Sequence, residues 1–329
     1  MQHTRVEVFG HRGASGYRPE HTLESYALAA RLGADHIEPD LVPTRDGALV
    51  CRHENEISTT TDIARRPEFA DRRTSKVVDG RRETGWFTED LTLAELRTLR
   101  ATERIPELRP DNAAHDGCYG VPTFQEVLDL ADALSAELGR PVGVAPETKH
   151  PSYFARLGLA LEPLLVDALN SHGANSADAG VVVQSFEVGN LRELDAVVDV
   201  PLLQLLADSG APQDLVESGD PRTYADLSTP EGLGEVATYA DYIGPDAGLV
   251  LPTDERGFLA APTRLVADAH REGLRVLPYT VRAENAFLPA DFRSRGGPAE
   301  HGDVRGYHLA LREQRIDAIF TDHPDTAVP

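Results

Sequence analysis

Three short apolar runs near the start of the chain each end in charged or imidazole side chains, and no other feature constrains the fold as strongly. The runs span residues 6–9, 34–41 and 49–51. The polar groups within or just after them are His11, Arg12, Glu38, Asp40 and His53. Such runs are typical of buried strands, where a polar group is costly unless it is paired or binds a ligand. Several of them at neighbouring strand ends predict a functional site.

The spacing of two carboxylates defines one part of that site. Glu38 and Asp40 are two residues apart, so on a strand both side chains point to the same face. Paired carboxylates suit a hard divalent cation, which prefers oxygen ligands. Residues 44–47, with the sequence Thr-Arg-Asp-Gly, predict a hairpin turn. The turn would bring His53 back level with the two acids, where an imidazole is a natural proton carrier near neutral pH.

Each of these residues also has a purely structural interpretation. His11 alone fits a core histidine that is bonded to a backbone carbonyl. Glu38 and Asp40 fit buried carboxylates that a nearby arginine neutralises. The candidate partners are Arg12 and Arg52.

A third strand end, at residues 144–149, carries another acid and a lysine. Glu147 and Lys149 are again two apart and share a strand face. Only two of the 32 lysines and arginines are lysines, Lys76 and Lys149. A lysine at a strand end therefore indicates a need for a compact point charge. Beside the other carboxylates it is a candidate phosphate or metal-site partner, and the alternative is that Glu147 and Lys149 simply pair with each other.

Strand and helix signals alternate along most of the chain. The strand candidates are residues 6–11, 36–41, 142–148, 181–186, 202–206, 241–244, 275–281 and 316–321, with 49–53 as an additional hairpin strand. The helix candidates lie near residues 22–32, 123–138, 154–172, 189–198, 231–240, 263–273 and 303–314. Eight strands separated by helices is the count of an α/β (β/α)₈ TIM barrel, whose chemistry lies at the C-terminal ends of its strands. Periodicity alone leaves a doubly wound open sheet as the alternative.

Two stretches interrupt the alternation. Residues 54–121 are polar, rich in arginine and aspartate, and contain Trp86, the only tryptophan. We expect them to form an insertion packed over the barrel mouth, where it could shape the substrate pocket. Residues 207–230 form a shorter irregular excursion. No shift in composition marks a boundary, so we expect a single domain over residues 1–329.

Bulk properties disfavour several function classes. The net charge of −22 disfavours nucleic acid and anionic membranes as partners. No run of about 18 apolar residues predicts a membrane span. Cys51 and Cys118 are too few for a disulfide framework. The chain enters its first strand without an apolar leader, which predicts a cytoplasmic protein; the alternative is a secreted or periplasmic protein whose signal peptide has been removed.

Short motifs lie in order along nearly the whole chain. They are His11-Arg12-Gly13, Pro19-Glu20-His21-Thr22, Gly33-Ala34-Asp35 through Asp40, Thr44-Arg45-Asp46-Gly47, His53, Gly85-Trp86-Phe87-Thr88-Glu89-Asp90-Leu91, Pro146-Glu147-Thr148-Lys149, Gln184-Ser185-Phe186, Pro278-Tyr279-Thr280-Val281-Arg282 and Phe320-Thr321-Asp322-His323-Pro324. Together they resemble the glycerophosphodiester phosphodiesterase family. The middle insertion and the Pro-Tyr-Thr-Val-Arg segment resemble its long bacterial form.

The resemblance implies a TIM barrel that hydrolyses small-molecule glycerophosphodiesters, such as glycerophosphocholine, to sn-glycerol 3-phosphate and an alcohol. It also implies one divalent cation, Ca²⁺ or Mg²⁺. The roles it assigns are general acid and base to His11 and His53, metal binding to Glu38, Asp40 and Glu147, and phosphate binding to Arg12 and Lys149. Which histidine is the acid stays open, and so does direct attack by water against a cyclic intermediate formed by the substrate's neighbouring hydroxyl.

Other functions stay open beside this one. A lysophospholipase D-like enzyme on the same scaffold would need an apolar groove at the barrel mouth. A non-catalytic phosphodiester-binding protein would be marked by the loss of a histidine or an acid, and none is missing here. A glycosidase with paired carboxylates would leave both histidines without a role.

Three further histidines are expected to be structural. His21 stands where the family often carries Asn, and we expect it to support Glu20 or to cap the following helix. We expect His323 to be a turn residue near the barrel mouth and His308 to be a surface or loop residue.

Overall fold

The computed structural model describes residues 5–328 and shows a barrel of parallel strands enclosed by helices. The strands are β1 (Glu7–His11), β2 (His36–Glu38), β3 (Asp40–Pro43), β4 (Leu49–Cys51), β5 (Thr74–Val78), β6 (Arg81–Gly85), β7 (Gly143–Val144), β8 (Glu147–Thr148), β9 (Val183–Ser185), β10 (Leu202–Leu206), β11 (Tyr242–Pro245), β12 (Arg275–Val276) and β13 (Ala318–Thr321). The α-helices are α1 (Leu23–Arg31), α2 (Leu93–Leu96), α3 (Pro110–Ala113), α4 (Phe124–Leu138), α5 (Pro151–Arg156), α6 (Leu161–His172), α7 (Val188–Asp195), α8 (Gln213–Ser218), α9 (Tyr224–Leu227), α10 (Pro230–Val236), α11 (Ala247–Val250), α12 (Leu265–Arg271), α13 (Val304–Glu313) and α14 (Pro324–Ala327). None of these helices is long and apolar enough to cross a membrane.

Pairing runs around the whole ring. Strands β2 and β3 together occupy one position in the ring, and so do β7 and β8. The order of parallel neighbours is β1, then β2 and β3, then β7 and β8, and then β9, β10, β11 and β12. The backbone N–H of Asp317 donates to Val276 O at 2.9 Å and that of Phe320 donates to Pro278 O at 3.0 Å. Strand β13 then pairs with β1 from Glu7 opposite Ala318 onward. The ring therefore closes, which confirms the predicted (β/α)₈ barrel and excludes the open sheet.

Side chains alternate between two cores, as the period of a strand requires. Those that point into the barrel pack together: Phe9, Ala145, Val182, Leu203, Leu205, Leu277, Ala318 and Phe320. The intervening positions pack outward against the helices; Val8, for example, belongs to the larger core with Tyr26 and Ala29 of α1. The barrel interior is therefore packed with side chains, and two of them, Leu205 and Phe320, also line a cavity at its mouth.

Several predicted elements are interrupted where the backbone chemistry changes. Pro39 separates β2 from β3, and Pro146 separates β7 from β8, because proline has no N–H to donate to a ladder. The predicted helix 154–172 is two helices, α5 and α6. The connection contains Gly158 with φ +75°.

Residues 54–121 have a core of their own. Six of their buried apolar side chains form a separate cluster, Ile57, Ile63, Phe69, Trp86, Leu91 and Leu99. Others, Val78, Phe87, Leu96 and Val121, pack with the main core. Strands β5 and β6 form an exposed antiparallel hairpin within this segment, which the sequence did not predict. The turn signal was present, since Asp79 and Gly80 both adopt positive φ, but the flanking strands are too polar to show a buried face.

Candidate active site

One cavity of about 430 Å³ opens at the C-terminal ends of the barrel strands. It is lined by six of the seven residues that the sequence singled out: His11, Arg12, Glu38, His53, Glu147 and Lys149. The seventh, Asp40, is buried, with its carboxylate oxygen within 4.8 Å of those of Glu38 and Glu147. The fold thus brings the whole predicted set together from four strand ends.

Three buried carboxylates meet at this cavity: Glu38 and Glu147 line it, and Asp40 adjoins them. Register places Asp40 opposite Glu147. Burial and the charges of Asp40 and Glu147 raise the pKa of Glu38 well above its usual range. Burial and Asp40 also raise the pKa of Glu147 to about 8, against the opposing effect of Lys149. A bound divalent cation would relieve this repulsion, and an all-oxygen donor set suits Ca²⁺ or Mg²⁺, so these residues fit such an ion.

Two positively charged side chains, those of Lys149 and Arg12, border the carboxylates. Lys149 Nζ lies 2.6 Å from Glu147 Oε1 and 3.4 Å from Asp40 Oδ1. Arg12 Nε lies 3.4 Å from Asp40 Oδ2, and the Arg12 backbone N–H donates to Glu38 Oε2 at 2.7 Å. Despite burial, Lys149 and two histidines hold the pKa of Asp40 well below its usual range.

The guanidinium of Arg52, considered as a partner of the acids, pairs with neither carboxylate; the residue's only contact with them is its backbone N–H, which donates to Asp40 O at 3.0 Å. The side chain is fully buried and donates only to backbone carbonyls, those of Cys51, Thr60, Glu20 and His21. It therefore braces the loop that follows β1 instead of neutralising Glu38 or Asp40.

His11 is the last residue of β1, and the carboxylate of Asp322, the residue after β13, holds its ring. His11 Nδ1 lies 2.6 Å from Oδ1 of Asp322. Because a carboxylate only accepts, Nδ1 carries the proton and the Nε2 lone pair is free in the neutral ring. Burial and the Arg12 charge lower the pKa of His11 to about 4, although Asp322 acts in the opposite direction.

His53, like His11, is held by a carboxylate at its Nδ1. Strands β3 and β4 pair antiparallel around the predicted turn, with Leu41 opposite Cys51, and this carries His53 to the cavity. His53 Nδ1 lies 2.5 Å from Oε1 of Glu54. Burial, Arg12 and Lys149 together lower the pKa of His53 to about 3.

His21 belongs to the site, contrary to the prediction that it supports Glu20 or caps a helix. Its Nε2 lies 2.7 Å from Asp40 Oδ2, and its Nδ1 lies 2.7 Å from the Tyr26 hydroxyl. Thr22 caps α1 instead, accepting from Ser25 N. The only available signal for His21 was its place inside the Pro-Glu-His-Thr motif.

The outer part of the cavity is built mainly by the segments that follow β11 and residues 275–281, together with Phe186 after β9 and Tyr307 on α13. Its apolar wall comprises Phe186, Leu251, Tyr279, Phe287, Leu288, Pro289 and Tyr307. No residue of 54–121 lines this cavity, so the expectation that Trp86 and its segment shape the pocket wall is wrong. Trp86 instead donates its indole N–H to Phe69 O inside the segment's own core.

A second acid–histidine group lies nearby but is a poor metal site. Glu284, His301 and His323 have candidate ligand atoms within 4.8 Å of one another. His323 Nδ1, however, accepts the backbone N–H of Ala283 at 3.3 Å, which leaves the proton on Nε2. Glu284 Oε1 already accepts from Arg109. His323 is fully buried and therefore more than a turn residue.

His308, predicted to be a surface or loop residue, is also buried. It lies within α13, and its Nε2 is 3.1 Å from Thr326 Oγ1.

Comparison with known proteins gives consistent matches over nearly the whole chain. A family model described as "Glycerophosphoryl diester phosphodiesterase family" matches residues 11–326. The glycerophosphodiester phosphodiesterase GDPD6 of Arabidopsis thaliana is 32% identical over 98% of this chain and 85% of its own length. The glycerophosphodiester phosphodiesterase of Haemophilus influenzae is 29% identical over 98% of this chain and 88% of its own length.

Solved structures share the fold at lower identity. A phosphodiesterase described as a putative glycerophosphoryl diester phosphodiesterase, from Silicibacter pomeroyi, superposes with a TM-score of 0.67 at 24% identity over 98% of this chain and 92% of that chain. An Oleispira antarctica phosphodiesterase, solved in complex with the product sn-glycerol-3-phosphate, gives a TM-score of 0.62 at 19% identity. That match covers 98% of this chain and 95% of the other.

Proposed function

The chain belongs to the glycerophosphoryl diester phosphodiesterase family, and on this premise we propose that it hydrolyses glycerophosphodiesters to sn-glycerol 3-phosphate and an alcohol. Glycerophosphocholine and glycerophosphoethanolamine are the substrates to test first. The observation that carries the proposal is that two histidines, two positively charged side chains and a cluster of three carboxylates lie around one cavity. Purely structural roles would give no function to Nε2 of either histidine.

The acid cluster supplies the metal site. Glu38, Asp40 and Glu147 would hold one divalent cation, Ca²⁺ or Mg²⁺, which when bound supplies Lewis-acid charge to a phosphate oxygen. Gln184 orients Glu38, because its side-chain N–H donates to Glu38 Oε1 at 3.0 Å. The metal ligands are thus themselves held by neighbouring groups.

Arg12 and Lys149 bind the phosphodiester. A phosphodiester carries one negative charge, and its reaction concentrates further charge on the phosphoryl oxygens. Both side chains are almost fully buried at the cavity wall, where a cation stabilises that charge more strongly than in water. Glu20 fixes the guanidinium of Arg12, accepting from its Nη1 at 3.0 Å.

His11 and His53 act as the general base and the general acid. In each ring Nδ1–H is donated to a carboxylate, so Nε2 is the atom that exchanges the proton. The lowered pKa keeps both rings neutral at pH 7, which suits a base. A bound phosphodiester adds negative charge beside them and raises the pKa of each, which allows one ring to carry the proton that the leaving alcohol needs.

The first test is release of glycerol 3-phosphate from glycerophosphocholine before and after EDTA. We expect activity to fall with EDTA and to return with Ca²⁺ or Mg²⁺. Absence of turnover with either ion would overturn the substrate assignment, and full activity in EDTA would overturn the metal assignment.

A second test separates the histidine roles. The acid is needed less when the leaving group is a good one, so its alanine variant should recover most activity on a p-nitrophenyl glycerophosphodiester. The base variant should stay inactive on both substrates. Equal behaviour of His11→Ala and His53→Ala would contradict the acid–base pair.

The apolar outer wall favours one second candidate, a lysophospholipase D-like activity. Phe258 and Phe287 are 42% and 38% exposed, and Phe287 lines the cavity. An acyl chain could lie against this rim while the phosphate sits at the strand ends. A higher kcat/KM for lysophosphatidylcholine than for glycerophosphocholine would favour this candidate over the first.

A further inference from the structure

Residues 54–121 contribute two arginines that reach behind the two candidate catalytic histidines. Arg104 and Arg109 are five residues apart, and neither lines the cavity. Each contacts the carboxylate that holds one of the rings. The segment is therefore connected to the site through positions on the far side of His11 and His53 from the substrate.

Arg104 secures the carboxylate behind His53. Its Nη1 and Nη2 donate to the two oxygens of Glu54 at 3.0 and 2.6 Å. Its Nε and Nη2 donate to Glu20 at 2.9 and 2.7 Å. Glu54 in turn accepts from His53 Nδ1, so one guanidinium fixes the orientation of the acceptor for that ring.

Arg109 secures the carboxylate behind His11. Its Nη2 donates to Asp322 Oδ2 at 2.6 Å and its Nε donates to Glu284 Oε1 at 2.5 Å. The Arg109 side chain is 7% exposed. The other oxygen of Asp322 accepts from His11 Nδ1, and Arg282 also donates to Asp322 Oδ2 at 2.9 Å.

A carboxylate held in this way does two things for an imidazole. It selects the tautomer with the proton on Nδ1, and it fixes the plane of the ring, so that the Nε2 lone pair points in one direction. The planar fork of arginine suits this task, because it binds the carboxylate in a fixed geometry that lysine does not reproduce.

We propose that Arg104 and Arg109 are positioning residues, and that the 54–121 segment acts as a clamp that sets the tautomer and orientation of both histidines. The proposal rests on the proposed function, since it needs His11 and His53 to transfer protons. The segment's contribution to catalysis is then made without contact with the substrate.

The test compares Arg104→Gln and Arg109→Gln with the wild-type protein on glycerophosphocholine, in the presence of the activating metal. We expect kcat to fall about 10- to 100-fold in both variants, the range for loss of an orienting contact. KM should change less than about 3-fold in Arg109→Gln, whereas in Arg104→Gln it should also rise, because Arg104 holds Glu20, the partner of the phosphate-binding Arg12. The Arg→Lys variants keep the charge but lose the fork, so they should recover only a small part of kcat. Arg97→Gln, which removes a surface contact to Glu126, is the matched control and should behave as wild type.

Double variants show whether each arginine acts through its carboxylate. Adding Arg109→Gln to Asp322→Asn should lower kcat less than about 2-fold further, because the acceptor it holds is already altered. Adding Arg109→Gln to Glu54→Gln should multiply the two losses, since these changes affect different rings. The reverse pattern would overturn the clamp.

Spectroscopy adds a readout that does not depend on turnover. In ¹⁵N-resolved imidazole spectra of the intact protein, we expect Arg104→Gln to change the tautomer signature of His53 and leave that of His11, and Arg109→Gln to do the opposite. If wild type turns over and the histidine variants are inactive, but both arginine variants keep kcat and tautomers, the clamp is wrong and the proposed function stands. If wild type itself shows no turnover, the proposed function is what fails.

Discussion

The contact between His21 and Asp40 allows a graded test of the proposed metal site from the side away from the cavity. Asp40 Oδ2 accepts from His21 Nε2, so the neutral ring must accept the Tyr26 O–H at Nδ1. Burial lowers the pKa of His21 more than Asp40 raises it, which keeps the ring neutral. His21 and Tyr26 are fully buried. The two hydrogen bonds from Tyr26 to His21 and from His21 to Asp40 therefore connect helix α1 to a candidate metal ligand.

Three substitutions each remove part of this pair of hydrogen bonds. Tyr26→Phe leaves one buried nitrogen of His21 without a donor, at a cost of about 1–3 kcal/mol. His21→Ala leaves both Asp40 and the Tyr26 hydroxyl unsatisfied, so unfolding free energy should fall by about 2–6 kcal/mol. His21→Asn offers a donor to Asp40 but is too short to reach Tyr26, and we expect an intermediate loss. Loss of an orienting contact should also weaken divalent-ion binding about 10- to 100-fold.

The measurements are urea unfolding in EDTA and calorimetric titration with Ca²⁺ and Mg²⁺. His270→Ala is the control, because His270 is partly exposed and pairs with Asp317, which precedes β13 at the opposite end of the barrel. If His21→Ala binds the ion as tightly as the control does, His21 does not orient Asp40. If Tyr26→Phe weakens divalent-ion binding more than His21→Ala does, Tyr26 does not act on Asp40 through His21.

Three further predictions concern the scaffold. Gly13 has φ +89°, and a Cβ there would lie 2.4 Å from Ser25 Oγ; Gly13→Ala should therefore lower unfolding free energy by about 2–4 kcal/mol in urea unfolding. Trp86→Ala leaves a cavity in the core of the 54–121 segment, so we expect the free energy of unfolding to fall by about 3–5 kcal/mol. Limited proteolysis should then cleave that segment faster, and an unchanged digestion pattern would contradict this. Burial lowers the pKa of His308 from 6.5 to about 3, so the unfolded chain binds its proton first and stability is lost as pH falls from about 6.5 toward 3. His308→Gln should therefore make the unfolding midpoint depend less on pH between 7 and 4, and an equal dependence in both proteins would refute it.

Local patterns were enough for the elements that depend on neighbours in sequence. The two-residue period placed Glu38 with Asp40, and the Asp46-Gly47 turn returned the chain so that His53 reaches the same cavity. Apolar runs located the strands to within a few residues; β10 spans Leu202–Leu206, as predicted. The motif order indicated the barrel, which the family match and the closed ring both confirm. The roles of the seven site residues stay predictions.

The groups that hold the histidines could not be read from any local pattern. His11 and Asp322 are 311 residues apart, and they meet only because β13 closes the ring against β1. Arg104 and Arg109 lie in a polar segment with no regular period, where an arginine at the surface and one that holds the partner of a site histidine cannot be told apart by sequence. The sequence by itself determined which side chains share a strand face, because that depends on a fixed backbone period. Only the tertiary structure decided which carboxylate pairs with which histidine, because that depends on closure of the barrel and on where the insertion packs.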